Sequence, residues 1–193
     1  MTVVLLKGQK LSLNKGNPDL KNISVTIEWK LGAEHNRNVL LDLDISAFML
    51  TATGKVEGPK DFVFYGNLKH PSGAVILNNN VKRKGNYQSL TVKLNLSIIP
   101  KNVMRIAFTA TIYEAKVRKQ SFAEISEAAV KIHDDSKNQE IVRYSLSEKY
   151  NVEDAVVFGE IYRNNNEWKF NSIGSGFMGG LAALCGHYGV EVD

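Results

Sequence analysis

A chain of 193 residues, 44% hydrophobic and 23% charged, lies outside the composition of disordered proteins and is long enough to bury a core of its own. Its formal charge of +4 is a mild excess. With neither an aromatic–basic platform nor a recognition helix, it points away from a nucleic-acid binder. A lone cysteine, Cys185, excludes an internal disulfide framework or a cysteine zinc site, and no apolar run approaches the ~20 residues of a transmembrane segment.

In chain order, the pattern is mostly strand. Ile23–Trp29 is followed by Leu41–Met49, where Leu41, Leu43, Ile45, Ala47 and Met49 oppose Asp42, Asp44 and Ser46. Phe62–Tyr65 comes next, then Leu90–Leu96 and Arg105–Ile112 with the same period of two, which puts one face on a core. Glu140–Tyr144, Val156–Tyr162 and Trp168–Ile173 complete the set. Turn chemistry divides the strands at Gly16-Asn17-Pro18-Asp19, Gly58-Pro59, Pro71-Ser72-Gly73 and Asn164-Asn165-Asn166. Two helices interrupt them. Ser121 and Glu124 form a capping box that predicts a helix over 122–131, with Phe122, Ile125 and Ala129 on one stripe. A second helix is expected over 177–188, with Phe177, Leu181, Leu184 and Tyr188 on one face. Many short strands and frequent turns predict a mainly β protein, a two-sheet antiparallel β-sandwich with two short helices, in one domain spanning 1–193. No leading segment has the order of a signal peptide, so the expected location is the cytoplasm.

The chemistry-bearing patterns are sparse. Gly174, Gly176 and Gly179 spell G-x-G-x-x-G, but too few residues follow for a dinucleotide unit, so they read as a sharp strand-to-helix turn. Cys185 and His187 do not face each other on a helix, and His35, His70 and His133 show no metal spacing and suit surface or capping roles. No nucleophile elbow, HExxH or phosphate loop is present, which predicts a protein that is not an enzyme. Asp42 and Asp44 point to one face, and their repulsion needs relief by a cation, a basic group or solvent. They read either as half of a calcium site or as a solvated sandwich edge. Lys82, Arg83 and Lys84 form the densest basic cluster, in what reads as a loop between strands. It suits an anionic partner (phosphate, lipid headgroup or acidic protein) or a solvated loop tip.

Several ordered strings together resemble the bacterial TerD family of tellurium-resistance proteins. They are Gly8-Gln9-Lys10-Leu11-Ser12-Leu13, Leu41-Asp42-Leu43-Asp44-Ile45-Ser46-Ala47-Phe48, Asp61-Phe62-Val63-Phe64-Tyr65-Gly66-Asn67-Leu68 and Gln120-Ser121-Phe122. The last runs from Val157-Phe158-Gly159-Glu160-Ile161-Tyr162-Arg163 into Glu167–Cys185, so the resemblance covers essentially the whole chain. It implies a C2-like sandwich with calcium at an acidic edge, a cytosolic role in resistance to tellurite and other stresses, and no established catalysis. In the family's acidic calcium loop, this chain carries Asn79, Asn86, Gln88, Ser89 and Leu90, with Lys82, Arg83 and Lys84 in the middle. A further family pair becomes Tyr113-Glu114. The ligands that the resemblance leaves are Asp42, Asp44, Asn67, Asn79, Asn80 and Glu114. The expectation is therefore a stress-response interaction module with a degenerate calcium site that binds no Ca2+ or binds it weakly, and with Lys82–Lys84 paired to Asp42 and Asp44. The alternative is a calcium-binding module using those surviving ligands. Expected partners are other stress-response proteins, membrane-associated ones included, with no nucleic acid and no transmembrane segment.

Overall fold

The structure, a computed structural model, describes residues 1–33, 35, 40–165 and 167–191. Its strands are β1 (Val3–Leu5), β2 (Lys10–Ser12), β3 (Asn22–Leu31), β4 (Leu43–Leu50), β5 (Phe62–Val63), β6 (Val75–Lys84), β7 (Tyr87–Asn95), β8 (Arg105–Ile112), β9 (Ile125–Asp134), β10 (Gln139–Ser145), β11 (Ala155–Asn164) and β12 (Glu167–Phe177). Helices α1 (Ala115–Arg118) and α2 (Gly180–Tyr188) complete the elements that matter here. One six-stranded sheet runs β1-β10-β9-β3-β7-β6 and the other β2-β12-β11-β8-β4-β5. The pairings are antiparallel except for β1, which lies parallel to β10.

The expected β-sandwich is what the alternation builds. In β3, Ile23, Val25, Ile27 and Trp29 turn inward and are at most 1% exposed. They share one core with Leu43, Ile45 and Met49 of β4 and Phe108 and Phe158 of the opposite sheet. Between these faces lies the apolar contact that removal from water drives. The second sheet is also covered on its outside. Phe48, Leu50, Phe62, Ala107 and Val157 pack under Leu184, Cys185 and Tyr188 of α2, forming a separate cluster. Rings reinforce it: Phe48 stacks on Phe62 at 4.4 Å, Phe62 on Phe64 at 4.2 Å, and Phe48 meets Tyr188 at 4.6 Å.

Three sequence expectations change. The predicted helix over 122–131 is a single 3-10 turn, Phe122–Glu124, followed by β9. Ser121 does cap it, accepting from the Ala123 N–H at 3.3 Å, but Ala128, Val130 and Ile132 then alternate into the core between β3 and β10. Pairing on both sides outweighs the local helix signal. The basic triplet is not in a loop either: Lys82, Arg83 and Lys84 end β6, opposite Ser89, Gln88 and Tyr87. β6 is an edge strand with a bulge between Asn78 and Lys82. Bulge and charge together disfavour edge-to-edge pairing with another chain. Among the three glycines, Gly174 and Gly176 lie within β12. Only Gly179, at φ 103°, makes the turn into α2.

β11 carries its own irregularity, a register shift between Val157 and Gly159 against both neighbours. A Cβ at Gly159 would lie 2.5 Å from the Phe170 ring and 2.6 Å from the Asn171 carbonyl. Gly159→Ala is therefore expected to destabilise by at least about 2 kcal/mol. Exposed Gly186, inside α2 with nothing within 4 Å of its Cβ position, should gain up to about 1 kcal/mol on Gly186→Ala. Urea unfolding of both variants checks the pair; equal midpoints would contradict this packing.

Candidate functional site

Alternation along β4 decides where the acids go. Leu43, Ile45, Ala47 and Met49 face the sandwich interior, so Asp44, Ser46, Phe48 and Leu50 share the outer face. α2 covers Phe48 and Leu50 but does not cover Asp44. Its first residues, with Met178, instead form one wall of a cleft of about 710 Å³. Tyr113, Glu114, Lys116, Val117 and Gln120, in and around α1, form the opposite wall. Val152 and Asp154 close one end, Tyr65 lines it too, and Asp44 and Thr111 lie side by side at the base, in register across β4 and β8.

The carboxylates in this cleft are not equivalent. Glu114, in a left-handed conformation at φ 51°, accepts from Arg118 at 3.2 Å. Asp154 Oδ1 accepts the Gly180 N–H at 2.7 Å and so caps α2, whose own cap position is a glycine without a side chain. Asp44 has no such partner among the described residues. Burial, then the neighbouring Asp42 charge, push its carboxyl up from 3.8 to about 6. Gln120 is 7% exposed; its Nε2 donates to the Leu40 carbonyl at 3.3 Å, while Oε1 has no partner among the described residues.

The residues singled out from sequence separate into three places. Asp42, Asp44 and Glu114 come together at or beside the cleft. Asn67 lies apart, holding its own turn through Nδ2 donating to the Phe62 carbonyl at 2.8 Å. Asn79 and Asn80 sit in the β6 bulge on the other sheet, and none of Lys82, Arg83 and Lys84 lines the cleft, so the expected pairing with Asp44 is replaced by an open carboxylate. Among the described residues no three His, Cys, Asp or Glu side chains are arranged to hold a metal ion. Thr111, Gln120 and Asp154 went unnoticed in the sequence. The only local signal was the acidic pair Glu153-Asp154 just before a strand. Two histidines also differ from expectation. His35 and His70 are buried against carboxylates, His35 Nδ1 at 2.5 Å from Glu124 and His70 Nε2 at 3.1 Å from Asp61, with His70 Nδ1 at 2.7 Å from Ser72 Oγ. Both tie down chain turns.

Two facing sheets and an outer helix define a β-sandwich protein, with an acid-floored cleft at the helix start. The chain belongs to the TerD domain family, whose model matches residues 1–188. It is 42% identical to general stress protein 16U of Bacillus subtilis over the full length of both chains. It is 40% identical to tellurium resistance protein TerD of Serratia marcescens, again over the full length of both. The fold is similar to the crystal structure of a TerD homologue from Streptomyces coelicolor, with a TM-score of 0.61 at 18% identity, covering 86% of this chain and 95% of that one. No helix among the described residues is long and apolar enough to cross a membrane.

A raised carboxyl has a stability signature. Asp44 binds its proton more tightly folded than unfolded, so its ionisation costs nothing below pH ~4, costs progressively more up to about 6, and costs its full amount above that. Asp44→Asn should raise stability at pH 7.5 by on the order of 1 kcal/mol, after allowance for solvent screening, and the gain should vanish at pH 4. Thermal unfolding across pH reads this directly, and a gain that persists at pH 4 would refute it.

Proposed function

We propose that this protein is a non-catalytic binding component of a cytoplasmic stress response, tellurite resistance included, whose calcium site has weakened. Full-length similarity to proteins named for general stress and tellurium resistance supports the biological setting. The observation that carries the molecular part is the open Asp44 carboxylate in a cleft whose other acids are engaged by Arg118 and the start of α2. Affinity for a hard dication follows the number of charged oxygens that converge on it, and among the described residues one carboxylate without a partner stands beside hydroxyl and aromatic groups. The cleft's described lining joins exposed apolar side chains to a few polar groups. Its surface is suited to holding a partner rather than transforming it. Other components of the same stress response are the partners this reading names.

The competing reading is a calcium-responsive module, favoured by the closeness of Asp42 to Asp44. Calorimetry of the purified protein with calcium chloride separates them. The expected outcome is no saturable binding tighter than about 100 μM and no rise in melting temperature at 1 mM calcium, since a ligand that prefers the folded state must raise it. Micromolar binding abolished by Asp44→Asn would establish the calcium module instead.

A further inference from the structure

The cleft beside α2 has features that a simple ion site does not require. Several large apolar side chains crowd its rim while remaining open to water: Val117 is 80% exposed, Met178 68%, Val152 63% and Tyr65 49%. Exposed apolar groups scattered singly need no explanation, but a set lining one concavity marks a binding surface. Beneath them the floor offers acceptors. Asp44 is a carboxylate without a partner among the described residues, and Thr111 adds a hydroxyl beside it.

The floor calls for a cation, and the rim selects its kind. A divalent metal ion needs more charged oxygens than converge here and has no use for apolar walls. A primary ammonium has three donors and no acceptor, so a carboxylate beside a hydroxyl suits it, and its carbon body can cover the rim. Lys116 and Lys119 stand on the same wall and repel a second positive charge, so a polyamine is disfavoured against a monoamine. An anion attracted by those lysines would meet Asp44 at the base.

We propose that the cleft between α2 and the connection from β8 to β9 binds an organic primary ammonium with an apolar body, its charged end on Asp44 and Thr111 and its body against Val152, Met178 and Leu181. This rests on the proposed reading of the cleft as a binding site with too few charged oxygens for calcium. The nearby Asp42 adds to the field that draws the cation in. Asp154 anchors the start of α2 through the Gly180 N–H, and Glu114 pairs with Arg118 within the opposite wall.

The probe is hexylammonium chloride, titrated at pH 7.5 into the full-length protein while amide shifts are followed by NMR. Hexanol and spermidine serve as comparison ligands. Expected are saturable shifts at residues 44, 111, 152, 178 and 181, with hexylammonium binding at least tenfold tighter than hexanol and tighter than spermidine. Asp44→Asn, which should fold more stably than the parent at this pH, is expected to weaken hexylammonium about tenfold and leave hexanol unchanged. Met178→Ser is expected to weaken both by a few-fold. Shifts outside the cleft, equal affinity for hexanol, or hexylammonium binding that survives Asp44→Asn would each overturn the proposal. Calcium binding in the absence of amine would instead defeat the weakened-calcium reading, so the two failures are distinguishable.

Discussion

The contact on which the functional surface depends is the seating of α2 against the outside of the second sheet. A sandwich needs only its inner faces dry, and the outer face of β4 would ordinarily be polar. Here Phe48, Phe62 and Phe64 stack in a row, and Tyr188, Leu184 and Cys185 close over that row and its neighbours. Burying these side chains is worth on the order of 2 kcal/mol each. This covering makes β4, β8 and much of β11 buried on both faces. It also fixes where coverage stops. Just beyond the start of α2 the apolar row gives way to Asp44 and Thr111, and the cleft is the space the helix leaves uncovered.

Burial explains the electrostatics of that space. A partly buried carboxyl beside a second acid is pushed up to about 6, whereas a cationic partner would hold it down. Glu114 and Asp154 differ from Asp44 in their partners, accepting from Arg118 and from the Gly180 N–H. Among the described residues nothing answers this costly charge, which sits in a concave setting with an apolar rim. Costs of this kind persist where function depends on them and are lost to substitution elsewhere.

Much of the fold could be read from alternation. β3, β7 and β12 carry it plainly, because one face meets the core and the other is more open to water. β9 hid it. Ala129 interrupts the polar positions, and a genuine cap at Ser121 precedes a stripe that fits a helix equally well. Only pairing to β3 and β10, residues far away in sequence, settles the matter. The site was half legible for a related reason. Asp42, Asp44 and Glu114 stand out because charge next to a strand is conspicuous. Gln120, Thr111 and Asp154 do not, since their significance comes from α2 and β11 arriving beside them. The basic triplet was misplaced because three adjacent cations look like a loop tip, although they also serve to guard an exposed sheet edge.

The first strands have a consequence for biogenesis. β1 lies on β10 and β2 on β12, so the opening dozen residues fasten one sheet and then the other, and both partners are synthesised more than a hundred residues later. β3 likewise waits for β9. A nascent chain on the ribosome thus holds its leading segment unpaired through most of translation. Its final assembly is a late, long-range closure rather than a progressive growth from the amino end, which favours slow folding and early protection by chaperones.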